Sequence, residues 1–352
     1  MSLMNIFRAL LIAIAMSATA LAETLALNPD APERYTVAQG DTLWDISSRF
    51  LKDPWLWPEI WQVNPSIENP HLIFPGDVLS LVYGADGKPR VTVSARGKPT
   101  VKLSPEARSE RLDQAIPTIP MDAVGPFLSR ARVMSKEEYD RSPYIVAFQD
   151  EKLIAANADK AYVRGSIDRD ANRFTVVRIG EPYRNPGAKK NDILGYEMLE
   201  VASARLEAAG DPASFKLDSV NREVLAGDRV IPVDDSDLID QYMPHPASGD
   251  IEGVIIAVLD GVSRIGQFHT VVLNIGSVDG VERGHVFDVM QSGRTVRDTF
   301  SGKIGGEPVV LPDEDAGVVM VYRVFDRVSY GLIMRASRDI RLMDSVRPPK
   351  SR

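Results

Sequence analysis

The residues able to do chemistry in this chain are few, and their spacing excludes most of what they could do. Cysteine is absent, which removes disulfides, thiolate zinc sites and cysteine nucleophiles together, along with the lipid-bearing cysteine of a bacterial lipoprotein. The histidines are His71, His245, His269 and His285, and none stands in an HxH or HExxH arrangement that could hold zinc. His269 and His285 sit in apolar β-like runs, where a hydrogen-bonded structural histidine is the default. No serine lies in a G-x-S-x-G elbow or an S-x-x-K pair. Gly302-Lys303-Ile304-Gly305-Gly306 lacks the phosphate-loop pattern and reads as a flexible loop. A glycosidase pair of carboxylates leaves no linear signature, yet such acids usually sit in helical domains, and the second half here is β-patterned. The expectation is a protein that is not an enzyme and uses no metal or cofactor.

Binding chemistry is concentrated elsewhere, between Tyr35 and Val82. All four tryptophans (Trp44, Trp55, Trp57, Trp61) fall in that stretch. The elements that must position them follow from the residue order. Tyr35-Thr36-Val37 favours a strand, and Gly40 permits a tight turn. Asp41 or Thr42 offers an N-cap oxygen, with Asp45 as capping-box partner of Thr42. Leu43, Ile46 and Phe50 then share one helical stripe. Asp53-Pro54 breaks that helix, Pro58 fits the first turn of the next, and Trp57, Ile60 and Trp61 share its face. Pro65 ends it. Pro75-Gly76-Asp77 is a turn into a strand over Val78 to Leu81 that can pair with the first. The result is a small βααβ unit whose large apolar groups compensate for its short length.

Those residues resemble the LysM family. The matching positions are Tyr35-Thr36-Val37, Gly40-Asp41-Thr42-Leu43-Trp44, Ile46, Phe50, Asn64-Pro65, and Asn69-Pro70 through Leu79. The longer, aromatic connection Asp53 to Pro58 departs from the commonest form and is similar to a variant in proteobacterial members. The resemblance implies binding of N-acetylglucosamine-containing glycan in a groove between two loops. Carried over, the walls are Gly40, Asp41, Thr42 and Leu43 on one side, and Ile67, Asn69, Pro70, His71, Leu72 and Ile73 on the other. Backbone groups in such loops can satisfy the acetamido N–H and C=O, while Leu43 and Ile73 could cover its methyl. A single shallow module binds weakly unless multivalency helps. The tryptophans read as core rather than sugar platforms, Trp55 being the expected exposed exception. Asp41 serves equally as helix cap or sugar contact, and His71 as a polar contact.

Around this unit, the 352 residues allow two or three domains. A net charge of −8, without runs of one sign, argues against nucleic acid as a partner. Residues 1–22 read as an export signal: Arg8, the apolar run Ala9 to Met16, and an A-x-A site at Ala20-Leu21-Ala22. Cleavage after Ala22 would deliver a periplasmic chain, and no later stretch is apolar enough to span a membrane. A flexible leader (23–34), the glycan-binding unit (35–82) and a linker with short strands and a helical segment (83–143) follow.

Beyond residue 144 the pattern turns to β, as in small barrels or sandwiches. Two domains are expected, over 144–247 and 248–352, giving an α+β protein. The anticipated strands are 161–165, 173–179, 194–206, 214–219 and 228–232, then 252–259, 269–275, 285–290, 317–325, 328–335 and 343–347. Asp279-Gly280 reads as a hairpin turn. Arg222-Glu223-Val224 leads to Gly227 through Pro232 with the spacing by which Arg338-Asp339-Ile340 leads to Met343 through Pro348. A diverged repeat and chance likeness of strand endings both remain open. The functional expectation is a periplasmic adaptor holding peptidoglycan strands and docking a protein partner through its β region. The alternatives are a wall hydrolase with an unrecognised site, or a part of an envelope-spanning assembly.

Overall fold

A computed structural model describes residues 25–62, 73–85, 87–95, 116–120, 125, 132–171, 173–187, 192–233, 242–259, 265–300 and 306–350. Residues 1–22, read above as an export signal, fall outside the described residues, as do Ile67, Asn69, Pro70, His71 and Leu72. Among the described residues no helix is long and apolar enough to cross a membrane.

The amino-terminal unit is a three-stranded antiparallel sheet of β1 (Arg34–Thr36), β2 (Val78–Tyr83) and β3 (Pro89–Ala95), in the order β1-β2-β3. Two helices, α1 (Leu43–Phe50) and α2 (Trp57–Gln62), lie between β1 and β2, separated by a 3-10 turn over Pro54–Leu56. Thr42 is the N-cap: the Asp45 amide donates to its hydroxyl (3.1 Å), and its own amide donates back to the Asp45 carboxylate (3.3 Å). Leu43, Ile46 and Phe50 are buried as their spacing requires, with exposures of 0, 0 and 1%. Trp44 and Trp57 join them, and so does Trp55, at 3% exposed. The expectation of an exposed Trp55 fails because the 3-10 turn folds its ring inward, with the Trp44 ring centroid 6.4 Å away. The leader is also tied down: the Asn28 amide donates to Phe50 O and the Lys52 amide to Ala26 O (2.9 and 3.0 Å), with Leu25 and Leu27 packed on the core.

The remainder is two closed six-stranded β-barrels in tandem. After β4 (Arg132–Met134) and α3 (Lys136–Arg141), the first contains β5 (Tyr144–Phe148), β7 (Lys160–Arg164), β8 (Arg173–Arg184), β9 (Ile193–Ala208), β10 (Ala213–Val220) and β12 (Arg229–Pro232). The short strands β6 (Ile154–Ala155) and β11 (Val224–Leu225) pair beside it. The ring runs β5-β7-β10-β9-β8-β12 and returns to β5. After β13 (His245–Pro246), the second ring uses β14 (Gly253–Val258), β15 (Thr270–Leu273), β16 (His285–Gln291), β19 (Glu314–Val324), β20 (Ser329–Ala336) and β21 (Ser345–Arg347). It runs β14-β15-β20-β19-β16-β21 and returns to β14, the same closure strand for strand.

The correspondence reaches individual hydrogen bonds, so the likeness of strand endings reflects a shared architecture. Leu225 N–H donates to the Asp228 carboxylate and Arg341 N–H to that of Asp344, both at 2.8 Å. Gly227 N–H donates to Ile145 O and Met343 N–H to Ile255 O, also both at 2.8 Å. Gly227 and Met343 each adopt positive φ there, at 95° and 73°. At a second turn, Ala156 N–H donates to Asp159 and Gly266 N–H to His269 Nδ1, again at 2.8 Å, and Ala158 and Phe268 both have φ of 66°. His269 is thus a turn residue taking the part that Asp159 takes in the first barrel.

Two further expectations change. Asp279-Gly280 closes a 3-10 turn over Ser277–Asp279 rather than a hairpin. The strands on either side, β15 and β16, pair with β14, β20, β19 and β21 but not with each other. A true hairpin that the pattern did not mark, β17 (Thr295–Asp298) with β18 (Glu307–Val310), projects between β16 and β19.

Candidate functional site

The first wall of the expected groove is the turn between β1 and α1. Gly40 holds φ of 92° with open space around the position a Cβ would take, so a side chain there would be opposed by backbone strain rather than by crowding. Asp41 clasps the turn: its carboxylate accepts from the Tyr35 hydroxyl (2.8 Å) and from the Ala38 amide (2.7 Å). Burial, and then that contact with Asp41, raise the Tyr35 pKa, while the Arg49 guanidinium sits 4.6 Å from its ring centroid. Asp41 is therefore a loop clasp and Thr42 the helix cap. Tyr35 was read as a strand residue, and nothing in its spacing marked its hydroxyl as part of this turn.

Of the second wall, Ile73 is described. Its neighbour Phe74 donates its amide to the Asp77 carboxylate (3.1 Å), and the Val37 amide donates to Asp77 O (2.8 Å), which ties this wall to the end of β1. The side chains of Thr42, Leu43 and Ile73 are buried, at 2, 0 and 0% exposed. Leu43 and Ile73 are thus core residues, and what they present to the groove is backbone: the Leu43 N–H and the Ile73 C=O. Helix geometry explains the first of these, because the opening amides of any α-helix lack partners within it. Those amides point to a segment within the stretch expected to be linker, Ile116 to Pro120. Leu43 N–H donates to Pro117 O (2.9 Å), Trp44 N–H to Thr118 O (3.2 Å), and Ile116 N–H to Ile73 O (2.9 Å).

Elsewhere, one group among the described residues has metal-ligand chemistry. Ligand atoms of His245, Glu282 and His285 lie within 4.8 Å of one another. The Glu282 amide donates to His285 Nδ1 (3.0 Å), and His245 Nδ1 lies 2.9 Å from Met243 O. Accepting at Nδ1 puts the His285 proton on Nε2, the nitrogen a metal would need. Burial, then His245, lowers the His285 pKa. The two histidines are brought together by the pairing of β13 with β16, and Glu282 joins them through its amide bond to His285.

Two comparisons with known proteins found a match. A Bacillus subtilis (strain 168) protein described as "Uncharacterized protein YqbP" is 43% identical to this chain over 61 residues, covering 14% of this chain and 28% of that protein. The chain thus spans well under a third of that relative's length. The family model described as "LysM domain" matches residues 35–82, and those residues form a LysM domain, a glycan-binding module.

Proposed function

We infer that this chain is an exported, non-catalytic adaptor that holds N-acetylglucosamine-containing wall glycan. Its groove is walled by Gly40, Asp41, Thr42 and Leu43 and by the loop Ile67, Asn69, Pro70, His71, Leu72 and Ile73. The observation that carries this reading is the placing of backbone donors and an acceptor across one gap, where they hold the backbone of residues 116–118. The Leu43 and Trp44 amides face it from the start of α1, and the Ile73 carbonyl faces it from the other wall. An acetamido group needs one acceptor and one donor, and these groups supply both without any charged side chain. The composition of residues 1–22 supports export to the periplasm. The tandem barrels supply a rigid body for a protein partner.

The test is co-sedimentation of the chain from residue 23 with purified peptidoglycan sacculi. Saturable retention is expected, and a chain lacking residues 35–82 should lose it. Asp41→Ala, which frees the turn from its clasp, should weaken retention about tenfold while the protein stays folded. Retention no better than that of an acidic control protein would sink the reading. Cleared bands on a sacculus-impregnated gel would instead favour a wall hydrolase.

A further inference from the structure

The gap between the two walls is already filled, by this chain itself. Ile116, Thr118 and Ile119 are 5, 2 and 0% exposed, and both isoleucines belong to the apolar cluster that contains Leu43, Trp44 and Ile73. The three backbone hydrogen bonds described above reach this segment from both sides of the groove. A peptide unit is chemically an acetamide: a planar C=O acceptor and N–H donor flanked by carbon. The Pro117 and Thr118 carbonyls take the amides of α1, the Ile116 amide takes the Ile73 carbonyl, and the isoleucine side chains lie in the apolar cluster beside them.

We propose that residues 116–119 are an internal surrogate ligand, seated where the sugar acetamide would bind, and that glycan must displace them to enter. The proposal rests on the glycan-binding reading above and adds its regulation. Because the segment is part of the same chain, its effective concentration at the groove is high and constant. The apparent glycan affinity is then the intrinsic affinity reduced by the fraction of molecules with the segment released. Short soluble sugars compete poorly against it, whereas a dense wall presenting many repeats competes well.

The experiment compares the full chain with two variants. Ile119→Asp puts a charge into the apolar seat, and a second variant replaces residues 116–120 by glycine and serine. Two quantities are read: hydrogen exchange at the Leu43 and Trp44 amides, and affinity for the N-acetylglucosamine tetramer. Amides in the second barrel report that the fold persists. Faster exchange at Leu43 and Trp44 together with a gain in affinity of about tenfold or more is the expected result. Faster exchange with unchanged or weaker affinity overturns the surrogate role and leaves the glycan reading standing. Exchange unchanged in both variants overturns it too, since the segment then does not cover those amides. Faster exchange with no tetramer binding by any of the three proteins removes the glycan reading of this groove and the proposal with it.

Discussion

The two barrels close by the same strand pairing, yet they live in different surroundings, and their sequences record it. In the first, the outer face is largely wet: β10 alternates buried and exposed residues through Ala213, Phe215 and Leu217. Its interior holds Phe174 against Phe215, ring centroids 5.0 Å apart, among small residues such as Ala161, Ala202 and Ala204. In the second, β15 is buried at all four positions and β19 at eight consecutive ones. Val271 and Leu273 line the barrel interior, whereas Val272, Tyr322, Tyr330 and Leu332 face outward into the cluster shared with Trp44, Trp57 and Ile73 of the LysM domain. Alternation therefore marks a barrel with one dry face and a continuous apolar run marks a barrel with two.

Equivalent positions give the comparison its sharpest tests. Tyr330 pairs with Val272 in the second barrel where Ser214 pairs with Tyr162 in the first. Tyr330→Ala should cost about 3–5 kcal/mol in chemical denaturation, and Ser214→Ala no more than about 0.5 kcal/mol; similar costs would break the distinction between dry and wet outer faces.

The acidic turns come next. Arg178 donates to both carboxylate oxygens of Asp228 (2.7 and 2.8 Å) and to Glu223 O (2.9 Å). At the matching place in the second barrel Gln291 reaches Asp339 O (3.3 Å). Among the described residues no arginine side chain is hydrogen-bonded to Asp344, and burial raises its pKa despite its bond to the Arg341 amide and the Arg341 charge. Asp228→Asn should therefore destabilise by about 2 kcal/mol. Asp344→Asn should stabilise at neutral pH and be neutral below the usual carboxylate range, because a raised folded pKa means stability lost as the acid ionises. Opposite signs in thermal melts at pH 7 are expected, and equal losses would show that the backbone bond, not the charge, dominates both turns.

The smallest effect is in pH dependence. Burial first and His245 second hold His285 below the usual histidine value of 6.5. The unfolded chain accepts a proton there that the folded chain refuses, so stability present above that value is lost as the solution becomes more acidic. His285→Gln should flatten the melting temperature between about pH 7 and pH 5; an unchanged slope would place the titration elsewhere.

Much of this molecule was legible in its residues. Turn glycines, the Thr42–Asp45 box and the stripe of Leu43, Ile46 and Phe50 specify the LysM domain locally, and most barrel strands announce themselves as apolar runs. What stayed hidden depends on pairs distant in sequence. The strand over Tyr144–Phe148 is short, and its role emerges only when it closes the ring between β7 and β12. Trp55 looked exposed because the turn that folds it inward has no periodicity. Leu43 and Ile73 were expected to offer side chains to the groove, but a small domain needs those groups for its core, and only their backbone faces the gap. The Ile116–Ile119 segment carried no signal at all: Pro117 and Pro120 punctuate it as they would any loop.

Ring closure also decides how other molecules can approach the barrels. Among the described residues every strand of each ring is paired on both sides, which limits the aggregation hazard of an open sheet; the edges that remain are the short appended strands β4, on β9, and β13, on β16. Away from those short strands, contacts with a neighbour fall to side chains. The β17–β18 ribbon, which stands clear of its ring with Val309, Val310 and Phe300 at 40, 69 and 97% exposed, is where the second barrel departs from that sealed design.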